Sequence, residues 1–244
     1  SSTAPAPASS AEALAPPSGL PPGPAGELVE ALRADARTKL LDLLDEVPGR
    51  KVLLLDKAIV GPLDTIINPS DLTDHGVQQW FKLSEATVQI ECSQVVFLIR
   101  CCSPELIDRI AAQILADEAA GKDRTYIVVL CPRKTEQCLQ RLNKANVRAN
   151  VRVFECAIHF FPLDQDVLSM EMPGVFSDFH VRGELSGAFY TAKAIMFLQT
   201  MFGTIPTVHA IGAAGKAVVD IMVRLRDEEQ AGAARREPRP PREG

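Results

Sequence analysis

Four short, nearly continuous apolar runs constrain this chain more than anything else in it. They are KVLLL (51–55), QVVFLIR (94–100), TYIVVLC (125–131) and VRVFECAI (151–158), each too short for a helix core, and the last three rich in β-branched residues. A strand that is apolar along its whole length must be covered on both faces, which is the situation of a parallel sheet. VQQWFKL (77–83) is a further strand candidate. Helical patterns fall between the runs. Leu28, Leu32, Ala36, Leu40 and Leu44 recur every fourth residue and stop at Pro48-Gly49. Pro104 and Glu105 suit a helix start capped by Ser103, and Leu106, Ile107, Ile110, Ile114 and Leu115 form its stripe before Gly121. Residues 134–144 make another short helix, with Cys138, Leu139 and Leu142 inward. Strand–helix alternation with right-handed crossovers predicts a doubly wound α/β fold, five parallel strands in the order 2-1-3-4-5 over residues 51–158.

After Pro162 the alternation ends. Helical patterns resume at 187–202 and 216–229, with Val218, Ile221, Met222 and Leu225 on one side of the latter. Residues 1–26 are almost wholly Ala, Pro, Ser and Gly, with Glu12 the one charge, and cannot bury enough apolar surface to offset their ordering entropy. The expected organisation is a flexible arm over 1–26, an α/β domain over 27–184, the helical start of a second domain over 185–230, and a flexible Arg/Pro tail over 231–244.

Charge narrows the functional classes. The chain carries 26 basic and 31 acidic residues, a net charge of −5. Without the four arginines and two glutamates of 231–244, the remainder has 22 basic against 29 acidic residues, or −7. That surface repels a phosphate backbone, so nucleic-acid binding is not expected. Residues 194–215 hold no Asp, Glu, Lys or Arg, but Gln199, Gly203, Thr204, Pro206, Thr207 and His209 interrupt them, which disqualifies the stretch as a membrane span. The N-terminus lacks the basic and apolar regions of a secretory signal. Six cysteines contain no C-x-x-C pair and read as buried free thiols of a reducing compartment rather than zinc ligands.

Two stretches could carry chemistry. AIGAAGKA (210–217) approximates a phosphate-binding loop, but Ala210 stands at the first glycine and Ala217 at the Mg²⁺-binding hydroxyl. A glycine-rich helix start accounts for it more simply. Asp164 and Asp166, near His159, could share a divalent cation, yet residues two apart diverge on either regular element and no further ligand spacing supports them. His75, His159, His180 and His209 lie in separate segments without a nucleophile elbow. No catalytic, cofactor-binding or metal-ligating residue is assigned, and no cofactor is expected.

VPGRKVLLLD (47–56), GPLDTI (61–66), DLTDHGVQQWFKL (71–83), FPLDQDVLSME (161–171) and FGTIPTVHAIG (202–212) occur in an order and spacing that resembles the Sec-one/Munc-eighteen family, and within it the vacuolar-protein-sorting thirty-three branch. Pro162, Leu163, Asp164, Asp166, Leu168, Ser169, Met170 and Glu171 match the most specific of these strings, while His75, Val77, Gly203, Ile205 and Pro206 match two others. The resemblance spans about 28–229. It implies a non-enzymatic regulator of SNARE assembly and membrane fusion, a subunit of endosomal or vacuolar tethering complexes. Its partners would be SNAREs and complex subunits, and it would meet late-endosomal, lysosomal or vacuolar membranes only through them. It also implies that this chain is an N-terminal fragment without the third-domain helical hairpin that grips SNAREs in the family. The alternative reading is a nucleotide-binding domain using 210–217.

Overall fold

A computed structural model describes residues 24–84, 86–100 and 104–236. The elements follow in the order α1 (Pro24–Asp45), β1 (Lys51–Leu55), α2 (Lys57–Leu63), α3 (Pro69–Asp74), β2 (Val77–Lys82), β3 (Gln94–Arg100), α4 (Pro104–Ala119), β4 (Thr125–Cys131), α5 (Glu136–Lys144), β5 (Val151–Glu155), the hairpin strands β6 (Phe161–Pro162) and β7 (Leu168–Ser169), α6 (Val175–His180), α7 (Ser186–Phe202) and α8 (Gly212–Arg236).

Five strands pair in parallel in the order β2-β1-β3-β4-β5, as the alternating runs predict. β1 is buried throughout, and β3 and β4 are buried past their first residues, because helices lie on both faces. On one face Leu53, Val96 and Ile127 meet Leu40 and Leu44 of α1 and Ile59 of α2. On the other Val52, Phe97 and Val128 meet Ile107, Ile110 and Ile114 of α4 and Leu142 of α5. Tight packing of this kind contributes roughly 1.5–3 kcal/mol for each large side chain fully removed from water.

Buried charges are anchored. Lys51 Nζ donates to Leu44 O at 2.8 Å and His75 O at 2.7 Å, joining α1 to the turn before β2; burial lowers its pKa, and the Asp45 charge opposes that. Gly76 is required in that turn. Its φ is +83°, and a Cβ would stand 2.7 Å from Gly49 O. At the end of α4, Asp117 Oδ2 accepts from Arg124 Nη1 at 2.7 Å, Gln113 Nε2 at 3.2 Å and Tyr126 Oη at 3.2 Å. Burial, then the Asp117 charge, pushes the Tyr126 hydroxyl up to about 12.

The structure departs from the sequence reading in several places. α1 starts at Pro24, inside the expected arm; residues 1–23 lie outside the described residues, as do Ser103 and 237–244. α8 runs to Arg236 rather than stopping near 230, because AGAARR keeps strong helix formers. β5 ends at Glu155, three residues early. Leu115 is exposed, since it lies about 100° round the helix from Ile114, and Ala111 takes its place inward. Cys92 and Cys156 are free thiols, whereas Cys138 is disulfide-bonded, which corrects the expectation of a free thiol there.

Candidate protein-binding surface

One buried guanidinium organises the side of the molecule beyond the sheet. Arg100 ends β3 and is 1% exposed. Its Nη1 donates to Ile158 O at 2.5 Å, Nη2 to His159 O at 3.0 Å and Nε to Met170 O at 2.8 Å. Its plane lies 5.2 Å from the centre of the Phe161 ring, and its backbone N–H reaches Asp56 Oδ2 at 3.1 Å. A planar fork with five donors suits three carbonyls arriving from two directions. The residues after β5 and the β6–β7 hairpin are thereby fixed to the carboxyl end of the sheet.

α7 is fixed beside them. The Phe197 ring lies 5.0 Å from that of His159, tilted by 37°, and Lys39 of α1 lies 4.5 Å from the same phenyl ring while donating to Ala157 O at 3.3 Å and pairing with Asp35 at 2.6 Å. The His159 Nδ1 is sealed without a hydrogen-bond partner. Burial pushes the ring pKa down to about 4, with the Lys39 and Arg100 charges acting in the same direction, so the imidazole is neutral.

Outside this anchored seam, apolar side chains face water. Of the twelve large apolar side chains that stand exposed among the described residues, ten lie beyond Pro162. Leu163 and Val167 flank the hairpin tip, closed by Leu163 N–H donating to Val167 O at 2.9 Å. Phe176 of α6 is 74% exposed and lies 4.5 Å from the His180 ring, which Phe179 meets edge-on at 5.0 Å. The segment 203–211, without regular structure, ends in Ile211 at 95% exposure. Exposed apolar groups so concentrated mark a surface made for contact.

The residues singled out for chemistry are dispersed. Asp164 and Asp166 stand exposed on the hairpin tip, and Asp164 Oδ1 accepts the Gln165 N–H at 2.7 Å. His159 lies in the buried seam, His75 pairs with Asp45 at 2.6 Å, His180 sits on α6 and His209 in the exposed 203–211 segment. Among the described residues, no group of three or more His, Cys, Asp or Glu is arranged to hold a metal. The glycine-rich stretch forms the start of α8, where Lys216 pairs with Asp220 at 2.8 Å one turn on, which raises its pKa. Among the described residues no helix is long and apolar enough to cross a membrane. The sequence reading missed α6 and the exposed Phe176 and Val181, because six residues are too few to show a helical period.

A family model described as "Sec1 family" matches residues 51–241. The chain belongs to the Sec1 family. It is 34% identical over 209 residues to Vacuolar protein sorting-associated protein 33B of Mus musculus, covering 85% of this chain and 33% of the relative. It is 34% identical over 201 residues to the Vacuolar protein-sorting-associated protein 33 homolog of Arabidopsis thaliana, covering 82% of this chain and 34% of that protein. It thus spans about a third of the length of these relatives. Its fold is that of the Unc18–syntaxin 1 complex from Monosiga brevicollis (TM-score 0.59, 17% identity, 82% of this chain and 37% of that one) and of the SM protein Vps45 (TM-score 0.57, 15% identity, 88% and 40%).

Proposed function

We propose that this chain forms part of a regulator of SNARE assembly in vesicle-mediated transport, acting through protein contacts and carrying out no catalysis. Its family membership over residues 51–241 is the observation that carries the reading. Support comes from the vacuolar sorting names of its relatives, and from similarity of fold to Unc18 solved with syntaxin 1 and Vps45 solved with the Qa SNARE Tlg2. By the same reasoning the protein is a subunit of an endosomal or vacuolar tethering complex, held on late-endosomal, lysosomal or vacuolar membranes through its partners. The division into an α/β domain over 27–184 and the start of a second domain over 185–230 is part of the proposal. It agrees with the separate apolar cluster of Ala188, Ala192, Ile221, Met222 and Leu225.

A chimera tests this. Residues 24–236 replace the matching third of the mouse relative, and both this chain and the chimera are titrated calorimetrically against a late-endosomal SNARE bundle. The chimera is expected to bind and this chain alone to bind weakly or not at all. A folded chimera that fails to bind would overturn the proposal.

A further inference from the structure

A cleft of about 590 Å³ opens where the loop after β4 faces the α7–α8 pair. Its floor is apolar, made by Phe189 of α7 with Ile221 and Leu225 of α8. Its rim is cationic. Arg133 and Lys134 project from the β4–α5 loop and Arg224 from α8. The Arg133 guanidinium lies 5.6 Å from the centre of the Phe189 ring, and Lys193 stands 6.0 Å from it. Among the described residues none of these four cations is in an ion pair.

Glu136 and Glu228 line the same cleft, which therefore holds three cations against two carboxylates. Glu155 accepts the Lys134 backbone N–H at 2.9 Å. Glu136 is the first residue of α5, where a carboxylate complements the helix end, and Glu228 is one turn beyond Arg224. The starts of α5 and α7 both border the cleft; Thr135 Oγ1 caps the first by accepting the Cys138 N–H at 3.3 Å, and Leu185 before α7 supplies no side-chain cap.

We propose that this cleft seats a short acidic peptide segment carrying an aliphatic or aromatic anchor. The anchor packs on Phe189, Ile221 and Leu225, and the flanking carboxylates meet Arg133, Lys134 and Arg224. A free inorganic anion would leave the apolar floor wet, and a polynucleotide would meet a chain of net charge −5. The volume suits a few side chains. This inference goes beyond SNARE regulation and requires no SNARE.

The probe is a fluorescein-labelled acidic peptide, Glu-Asp-Leu-Phe-Glu-Asp, followed by anisotropy with the full chain. Saturable binding is expected with a dissociation constant on the order of 10 µM. The combined substitutions Arg133→Glu and Arg224→Glu, both at exposed positions, should weaken it by at least about tenfold without changing the circular dichroism. Replacing the peptide's Leu and Phe by Ser should weaken it comparably. Lys134→Glu, outside any helix or strand, provides a second variant. No saturation, indifference to charge reversal, equal binding of the Ser peptide, or equal displacement by inorganic phosphate would each overturn the proposal. So would a dimer that the Arg133→Glu, Arg224→Glu protein abolishes, which would assign the cleft to a second copy. The SNARE-bundle titration is a separate measurement, so loss of peptide binding alone removes this inference and leaves the proposed function standing.

Discussion

The sheet unit and the α6–α8 region solve the burial problem in opposite ways. In the first, β1, β3 and β4 are covered on both faces, and the large apolar side chains left in water are Trp80 on the edge strand and Leu115 on α4. In the second, a small cluster around Ala188, Ala192, Ile221, Met222 and Leu225 holds two helices together while Phe202, Ile205, Val208 and Ile211 face solvent. Both regions draw on the same residue types. The difference is in layers: a doubly wound sheet supplies a partner for every apolar face, whereas a helix pair covers one stripe each and leaves the other open. The open stripes of α7 and α8 contribute little to the stability of the sheet, whose core is closed without them.

Cavity mutations should break or sharpen that contrast most strongly. Phe97 lies wholly buried at the centre of the sheet, so Phe97→Ala should cost about 3–5 kcal/mol in urea denaturation. Met222 is nearly as buried, but its site borders solvent and can collapse, so Met222→Ala should cost about 1–2 kcal/mol. Equal losses at the two sites would mean that the α7–α8 pair is as tightly integrated as the sheet.

A smaller effect is expected from removing the open helices. The 244-residue chain should self-associate as concentration rises, and a chain ending at Glu184 should scatter light as a monodisperse species. That shorter chain loses the Phe197 contact with His159 and Lys39, a seam outside the two large clusters of the sheet. Identical monodispersity of the two chains would show that the exposed residues are not adhesive.

The sheet was legible from sequence because its signal is local. Runs such as QVVFLIR need no knowledge of partners to be read as buried strands, and the order 2-1-3-4-5 is that of the flavodoxin-like doubly wound pattern which the alternation with helices points to. The binding side was legible only in outline. Arg100 ends an apolar run and gives no sign that its guanidinium reaches Ile158, His159 and Met170, because those carbonyls arrive from 58 to 70 residues away. The cleft has the same origin. Arg133, Phe189 and Arg224 are remote in sequence and meet through packing alone. Leu225 was legible as inward from its helical period, but the period does not say that α7 covers it.

The smallest effect probes the seam between the two regions. The folded His159 ring is held neutral with its pKa near 4, against about 6.5 when unfolded. As pH falls from about 6.5 towards 4, the unfolded chain takes up a proton that the folded chain refuses, so stability falls with pH across that window. Above it the group contributes no slope. Because the ring is partly exposed, solvent screening leaves roughly 1–2 kcal/mol of this effect. His159→Gln stays neutral at every pH, so the difference between wild type and variant isolates the imidazole from the carboxylates that titrate nearby. Urea midpoints at pH 7 and pH 5 should fall further for the wild type than for the variant. Parallel falls would mean that the ring protonates in place, and that the Lys39, Arg100 and Phe197 surroundings open to water without unfolding the sheet.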